Sequence, residues 1–286
     1  MTARTDGEVL IHSIADTARW VAGYRAQETA RPDALFRDPY AATLAGAEGD
    51  RMMRHLPTAA GAAWAFVLRT YLFDQEILAA VEDGVDLVVN LAAGLDARPY
   101  RLPLPESLTW IEIDLPEVLE RKQAILGGAK PACRVERIPL DLSNLEARRA
   151  CFAALGQRGR HALVFTEGLL IYFDEPQVGE LARDLAAVES FHRWVTDLAS
   201  PGLLLRVQRG FGKHLKDAGA PLKFGPAEGV EFFRRYGWRP VTVQSVFKAA
   251  AAAHRLPLFL RLIALFPEPA RPGNRPWSGV CRLVRA

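Results

Sequence analysis

The stretch Leu87 to Asp114, LVVNLAAGLDARPYRLPLPESLTWIEID, constrains the fold more than any other part of this 286-residue chain. An apolar run ends in a small-residue turn, Asn90-Leu91-Ala92-Ala93-Gly94, and a second apolar run closes on Asp114. That acid stands about 20 residues beyond the glycine, the spacing of a nucleoside-binding β-α-β unit. The segment is therefore expected to form an adenosine site at the start of an α/β sheet.

The rest of the chain reads consistently with this. After Gly84, short apolar runs alternate with helical patterns, as buried parallel strands do. Strands are expected at Leu87–Leu91, Thr109–Ile113, Arg134–Ile138, Ala162–Thr166 and Trp194–Leu198, with helices near Pro116–Leu126, Leu145–Leu155 and Pro176–Glu189. That pattern is a doubly wound α/β sheet. Upstream the periodicity is helical throughout: Ser13 is a candidate N-cap for a helix to about Glu28, Pro39 can open a short helix, and Ala59 to Val81 carries a long one. Residues 1–84 are thus expected to form a helical cap and 85–286 the core, with a substrate-side insert around 201–236. In the tail, Trp238 to Val246 and Trp277 to Arg285 read as strands, and Ala249 to Phe266 as a helix between them.

Composition limits the partners. A net charge of +3, evenly spread, argues against nucleic acid or an acidic membrane face. Cys133, Cys151 and Cys281 show neither zinc-ligand nor disulfide spacing, so they read as small buried hydrophobes, and no metal is expected. The N-terminus lacks an apolar signal core, and the most apolar segment, Leu256 to Phe266, is interrupted by Pro257 and Arg261 and too short for a span of about 20 residues. A cytoplasmic location is expected.

The turn discriminates among nucleotides. A dinucleotide's pyrophosphate needs close backbone approach, hence three glycines; here Gly94 is the only one, and Asp96 two positions on would repel a phosphate. S-adenosylmethionine has no phosphate and suits such a turn. A nicotinamide oxidoreductase and a non-catalytic nucleoside-binding module remain the alternatives of another class. Asp114 can accept hydrogen bonds from both ribose hydroxyls, or else cap the helix opening at Pro116. Asp141 and Leu142, after the third strand, can meet an adenine edge and face, or else precede a helix capped at Asn144. Glu167 follows the fourth strand and can face a methionine ammonium; Arg69 on the long helix can fork onto the carboxylate, or else lie on the surface.

Several segments in order, Asp16-Thr17-Ala18-Arg19, Tyr24-Arg25-Ala26, Phe36-Arg37-Asp38-Pro39, Val89 to Leu102, Glu112 to Pro116 and Glu167 to Tyr172, resemble the leucine carboxyl methyltransferase family of S-adenosylmethionine-dependent enzymes. The resemblance covers most of the chain and is strongest to a bacterial branch similar to polyketide carboxyl methyltransferases. It implies a Rossmann-like class I methyltransferase fold with S-adenosyl-L-methionine as cofactor. It further implies that Arg69 holds the methionine carboxylate, Gly94 lines the amino-acid end, Asp114 binds ribose, Asp141 and Leu142 contact adenine, and Glu167 closes the site. Arg25, on the first helix, would reach the substrate end, with Tyr172 nearby. Ala92 departs from the family pattern, which often has glycine there, and the segment after Pro201 matches less well.

A carboxylate acceptor is ionised at neutral pH, whereas a phenol, with a pKa near 10, would call for a base. No Ser/His/Asp or paired-carboxylate constellation stands out, so no catalytic residue is assigned. His161 and His192 precede strands on the side away from the expected ligand; His12, His55, His214 and His254 lie in cap or tail segments. The expected reaction is methyl transfer to the carboxylate of a small hydrophobic or polyketide-like molecule, with a phenolic hydroxyl as the alternative. Phe211, Phe224, Phe232 and Phe233 can line its pocket or pack in the core; Arg206, Arg209, Lys213 and Lys223 can face it or solvent.

Overall fold

The computed structural model describes residues 14–55, 57–210, 212, 216, 219, 221–268 and 273–286. Ser13, His12, Phe211, Lys213 and His214 lie outside them.

Three helices come first: α1 (Ile14–Thr29), α2 (Ala41–His55) and α3 (Pro57–Glu82). The alternating part follows as β1 (Leu87–Leu91), α4 (Arg98–Arg101), β2 (Thr109–Asp114), α5 (Pro116–Leu126), β3 (Arg134–Pro139), α6 (Leu145–Gly156), β4 (Ala162–Thr166), α7 (Glu175–Ala186) and β5 (Phe191–Ala199). After α8 (Pro201–Gly210) and a 3₁₀ segment at Gly229–Tyr236, the chain ends with β6 (Trp238–Ser245), two short helices, and β7 (Ser278–Arg285). The seven strands form one sheet in the order β3-β2-β1-β4-β5-β7-β6. β1 to β5 are parallel, and β7 runs antiparallel to both β5 and β6.

Strand alternation explains the layers. Leu87, Val89 and Leu91 of β1 face a core shared with Phe152 and Leu155 of α6 and Leu181 of α7, while Val88 faces the opposite core, with Leu72 and Phe73 of α3 and Trp110 of β2. Apolar side chains on both faces demand helices on both, which is why these strands read as unbroken apolar runs. Trp110, Trp194 and Trp238 are fully buried, each worth roughly 1.5–3 kcal/mol or more. Trp194 and Trp238 also find acceptors in Thr166 Oγ1 at 3.0 Å and the Ala182 carbonyl at 2.9 Å.

Local chemistry sets the helix starts. Asp174 and Gln177 form a reciprocal capping box on α7. Asn144 caps α6 through the Ala147 amide. Two expectations are corrected. The helix expected to open at Pro39 begins two residues on, at Ala41, with Asp38 Oδ1 accepting the Tyr40 amide ahead of it. The single helix expected over Ala249–Phe266 is two, Val246–Ala252 and Leu258–Ile263. The break lies where His254 adopts a left-handed φ of 57° and Pro257 stands as N-cap, since neither continues an α-helix. Among the described residues no helix is long and apolar enough to cross a membrane.

The chain runs from β1 outward to β2 and β3, then returns to the other side of β1 as β4. The β1/β4 boundary is thus the topological switch point, whose carboxyl end is the ligand crevice of open α/β sheets.

Candidate active site

A cavity of about 490 Å³ lies at that crevice, and Arg25, Arg69, Gly94, Asp114, Asp141, Leu142, Glu167 and Tyr172 all line it. The structure therefore brings these eight residues together, from α1 and α3, from the turns after β1, β3 and β4, from the end of β2, and from the 3₁₀ segment Leu170–Tyr172.

The β1 turn is closed by Asp114. Its Oδ2 accepts the Gly94 amide at 2.6 Å and its Oδ1 the Leu115 amide at 2.8 Å. Leu115, with no side-chain cap, is the N-cap of α5, so Asp114 does not serve as that cap. Burial pushes the Asp114 carboxyl up, against the two amides and Lys122. Each oxygen spends one lone pair on the backbone and keeps capacity toward the cavity. Gly94 has φ of 47°, and a Cβ there would meet Ala18 Cβ of α1 at 3.5 Å, so α1 lies directly over the turn. Ala92 also sits at φ of 56°, a left-handed conformation that favours glycine.

On the β3 side, Asp141 Oδ1 accepts the Ser143 amide at 2.8 Å and shapes the turn ahead of the Asn144 cap, while Leu142 is buried. Together with Leu115 and Val118, Leu142 gives this part of the cavity apolar walls.

Along and behind the cavity wall, charges alternate in one connected series. Arg25 Nε meets Asp38 at 2.8 Å; Arg101 lies between Asp38 and Asp74 at 3.8 and 2.7 Å; Arg98 Nε meets Asp74 at 2.6 Å and its Nη1 meets Glu167 at 2.8 Å. Arg69 follows, with Nε 3.1 Å from Glu167 and Nη1 3.3 Å from Asp197. Arg69 is thus no surface arginine. Asp197 Oδ1 accepts the Gly168 amide at 2.7 Å. Burial raises the Glu167 carboxyl, but Arg98 and Arg69 outweigh it and hold the group below its usual range. Asp96 behaves likewise: burial is overcome by Arg98, Lys122 and Arg101, and its carboxyl is held at about 2. Asp197 shows the reverse balance, burial pushing it up against Arg69 and the Gly168 amide.

Arg25 lines the wall, but Nε is held by Asp38 and Nη2 donates to the Leu95 carbonyl at 2.6 Å, so its guanidinium ties α1 to the β1 turn. Tyr172 Oη donates to Thr17 Oγ1 at 3.5 Å, and burial pushes its phenol up. Around it, Trp20, Phe66, Ile171 and Leu222 form an apolar cluster, with Tyr24 stacked on Phe66 at 4.9 Å. Phe224 lines the cavity, whereas Phe232 and Phe233 are core residues. Arg206, Arg209 and Lys223 are exposed. His161 and His192 pack against each other with tilted rings 5.0 Å apart and line no part of this cavity.

Asp197, Arg98 and Asp96 were not assigned a binding role from sequence. Asp197 follows the apolar pair Trp194-Val195 near the carboxyl end of a largely buried strand, and an acid at that place is the signal that would have marked it. Among the described residues no His/Cys/Asp/Glu cluster could hold a metal ion.

A family model described as leucine carboxyl methyltransferase matches residues 18–186. The chain belongs to the leucine carboxyl methyltransferase family. Its relatives include a protein of Parafrankia sp. (strain EAN1pec), 30% identical, with 90% of this chain and 87% of that one covered. Another, from Frankia alni, is 35% identical over 84% and 88% of the two chains. Both carry the name of S-adenosyl-L-methionine-dependent methyltransferases. Among solved structures, a DUF574 family protein of Streptomyces avermitilis shares the fold at TM-score 0.58 and 16% identity, over 93% of this chain and 97% of that one. A Thermobifida fusca protein does so at 0.56 and 16%, over 96% of each. As a leucine carboxyl methyltransferase family member, the chain is a methyltransferase that uses S-adenosylmethionine, and it acts on a methyl acceptor.

The residues fit that cofactor. The Asp114 carboxylate has free acceptor capacity beside a turn without a phosphate cradle, and Arg69 Nη2 makes no hydrogen bond among the described residues. Among the described residues, lining acids outnumber lining arginines, five (Asp96, Asp114, Asp141, Glu167, Asp197) to three (Arg25, Arg69, Arg98), which suits a ligand bearing a sulfonium and an ammonium.

Proposed function

We propose that the protein is a carboxyl O-methyltransferase acting on the carboxylate of a small hydrophobic, polyketide-like molecule. One observation carries this reading: the part of the cavity around Trp20, Phe66, Ile171, Tyr172 and Leu222 is apolar, and among the described residues no histidine lines the cavity. Glu167 and Asp197 are engaged by arginines, and the raised Tyr172 phenol stays protonated at neutral pH. A carboxylate, with a reference pKa near 4, arrives ionised and needs no base; a phenol near 10 does.

S-adenosylmethionine supplies, when bound, a methyl group already activated on a positive sulfur. The chain's own residues supply alignment and dryness. Asp114 holds the ribose hydroxyls, Asp141 and Leu142 meet adenine, and Gly94 lines the amino-acid end. Arg69 takes the methionine carboxylate through Nη2, and Glu167 faces the ammonium. Helices α1 to α3 act as the cap: Arg25 fastens α1 over the β1 turn, and Tyr172 donates to Thr17 of α1. Apolar walls strip water from the acceptor carboxylate and leave it more nucleophilic.

The test is methyl transfer from labelled S-adenosylmethionine to matched pairs of hydrophobic aromatic acids and phenols. Label in an ester that mild alkali releases is the expected product. Label confined to alkali-stable ethers overturns the carboxyl reading.

A further inference from the structure

Arg69 is held by two acids from different strands. Glu167, just after β4, engages Nε, and Asp197, near the end of β5, engages Nη1. Asp197 does more than pair with a charge, because its second oxygen takes the Gly168 amide at 2.7 Å. Gly168 has φ of 69°, and the space where its Cβ would stand is bounded by Arg69 Nη1 and Nη2, each 3.3 Å away. One carboxylate therefore fixes both the left-handed turn after β4 and the guanidinium packed against it. Phe66, 5.5 Å from the Arg69 guanidinium carbon, restrains the same group from α3. With Nε and Nη1 spoken for, Nη2 is left to meet a ligand.

We propose that Asp197 is a positioning residue for the methionine end of the cofactor, setting the direction in which Arg69 presents Nη2 and the height of the Gly168 turn. This rests on the S-adenosylmethionine reading of the cavity. Asp197 lines the cavity with its two oxygens engaged by Arg69 Nη1 and the Gly168 amide, so its effect reaches the ligand through these two partners. The adenosine end, held around Asp114 and Leu142, has no contact with this device.

Two ligands separate the ends: S-adenosylhomocysteine carries the amino-acid moiety and 5′-methylthioadenosine lacks it. Calorimetry on Asp197→Asn, which keeps an acceptor for the Gly168 amide but removes the charge on Arg69, is expected to weaken S-adenosylhomocysteine about tenfold, the scale of one charge-assisted contact. The affinity for 5′-methylthioadenosine should stay unchanged. Asp197→Glu restores the charge and should recover part of the lost affinity. If the asparagine variant does not fold, the glutamate variant against wild type carries the test, again with selective weakening expected. Equal losses for both ligands, or no loss for either, overturn the proposal. Wild-type protein that binds neither ligand overturns the cofactor reading itself.

Discussion

The Gly94 amide donates to Asp114 Oδ2 at 2.6 Å, so the turn after β1 is closed by the residue that ends β2. Asp114→Ala removes this acceptor, the acceptor for Leu115, and the proposed ribose contact together. S-adenosylhomocysteine affinity should fall by about 1–3 kcal/mol, the cost of losing a charged hydrogen-bond partner. An unchanged dissociation constant would reduce Asp114 to a turn former.

Acid should weaken binding early. Burial raises the folded-state pKa of Asp114, so ionising this carboxyl is harder in the folded protein than in the unfolded chain and opposes folding. A ligand hydroxyl that donates to the ionised form favours that form, so affinity falls as acid protonates the carboxyl, at a pH higher than for an unburied aspartate. In Asp114→Asn this part of the pH profile should vanish; a profile identical to wild type would contradict the assignment.

Asp96 shifts the other way. Its carboxyl is held at about 2, so it contributes stability that is present above the unfolded value of 3.8 and lost as pH falls toward 2. The shift corresponds to about 2 kcal/mol, which Asp96→Asn should remove at neutral pH in urea unfolding. An asparagine variant as stable as wild type would mean that Arg98 gains nothing from this acid.

Ala92 offers a test of backbone strain. At φ of 56° an alanine costs roughly 1–2 kcal/mol over glycine, enough to offset glycine's greater unfolded entropy. Ala92→Gly should therefore leave stability unchanged or raise it, where the same change in an ordinary position lowers it. A loss near 1 kcal/mol would show that the turn relaxes around the methyl group.

Arg25 separates an anchor from a substrate ligand. Its partner Asp38 is fully buried, and removing one member of such a pair costs about 3–5 kcal/mol. Arg25→Ala should lower unfolding stability on that scale and loosen α1 from the Leu95 carbonyl. Full stability with a raised KM for the acceptor would instead mark a direct substrate contact.

The architecture was legible because β1 and β4 carry buried apolar side chains on both faces, and Pro116, Asn144 and Pro176 mark the starts of their helices locally. Residues of the site could be named where a strand ends on an acid, as at Asp114 and Glu167. What could not be read was pairing across the chain: that Arg25 spends its donors on Asp38 and Leu95, or that Arg69 is shared by Glu167 and Asp197, 98 and 128 residues away. Such contacts depend on tertiary placement, which periodicity and spacing do not encode. The tail misled for a local reason, since the apolar run after Leu256 masks the break at His254 and Pro257.

Titration of the protein with S-adenosylhomocysteine by calorimetry tests the central claim most directly, because the β1 turn, Asp114, Arg69 and Glu167 are all held to serve one ligand. Saturable binding of one ligand per chain, weakened by Asp114→Ala, is the predicted result. No binding by the folded wild-type protein would contradict it.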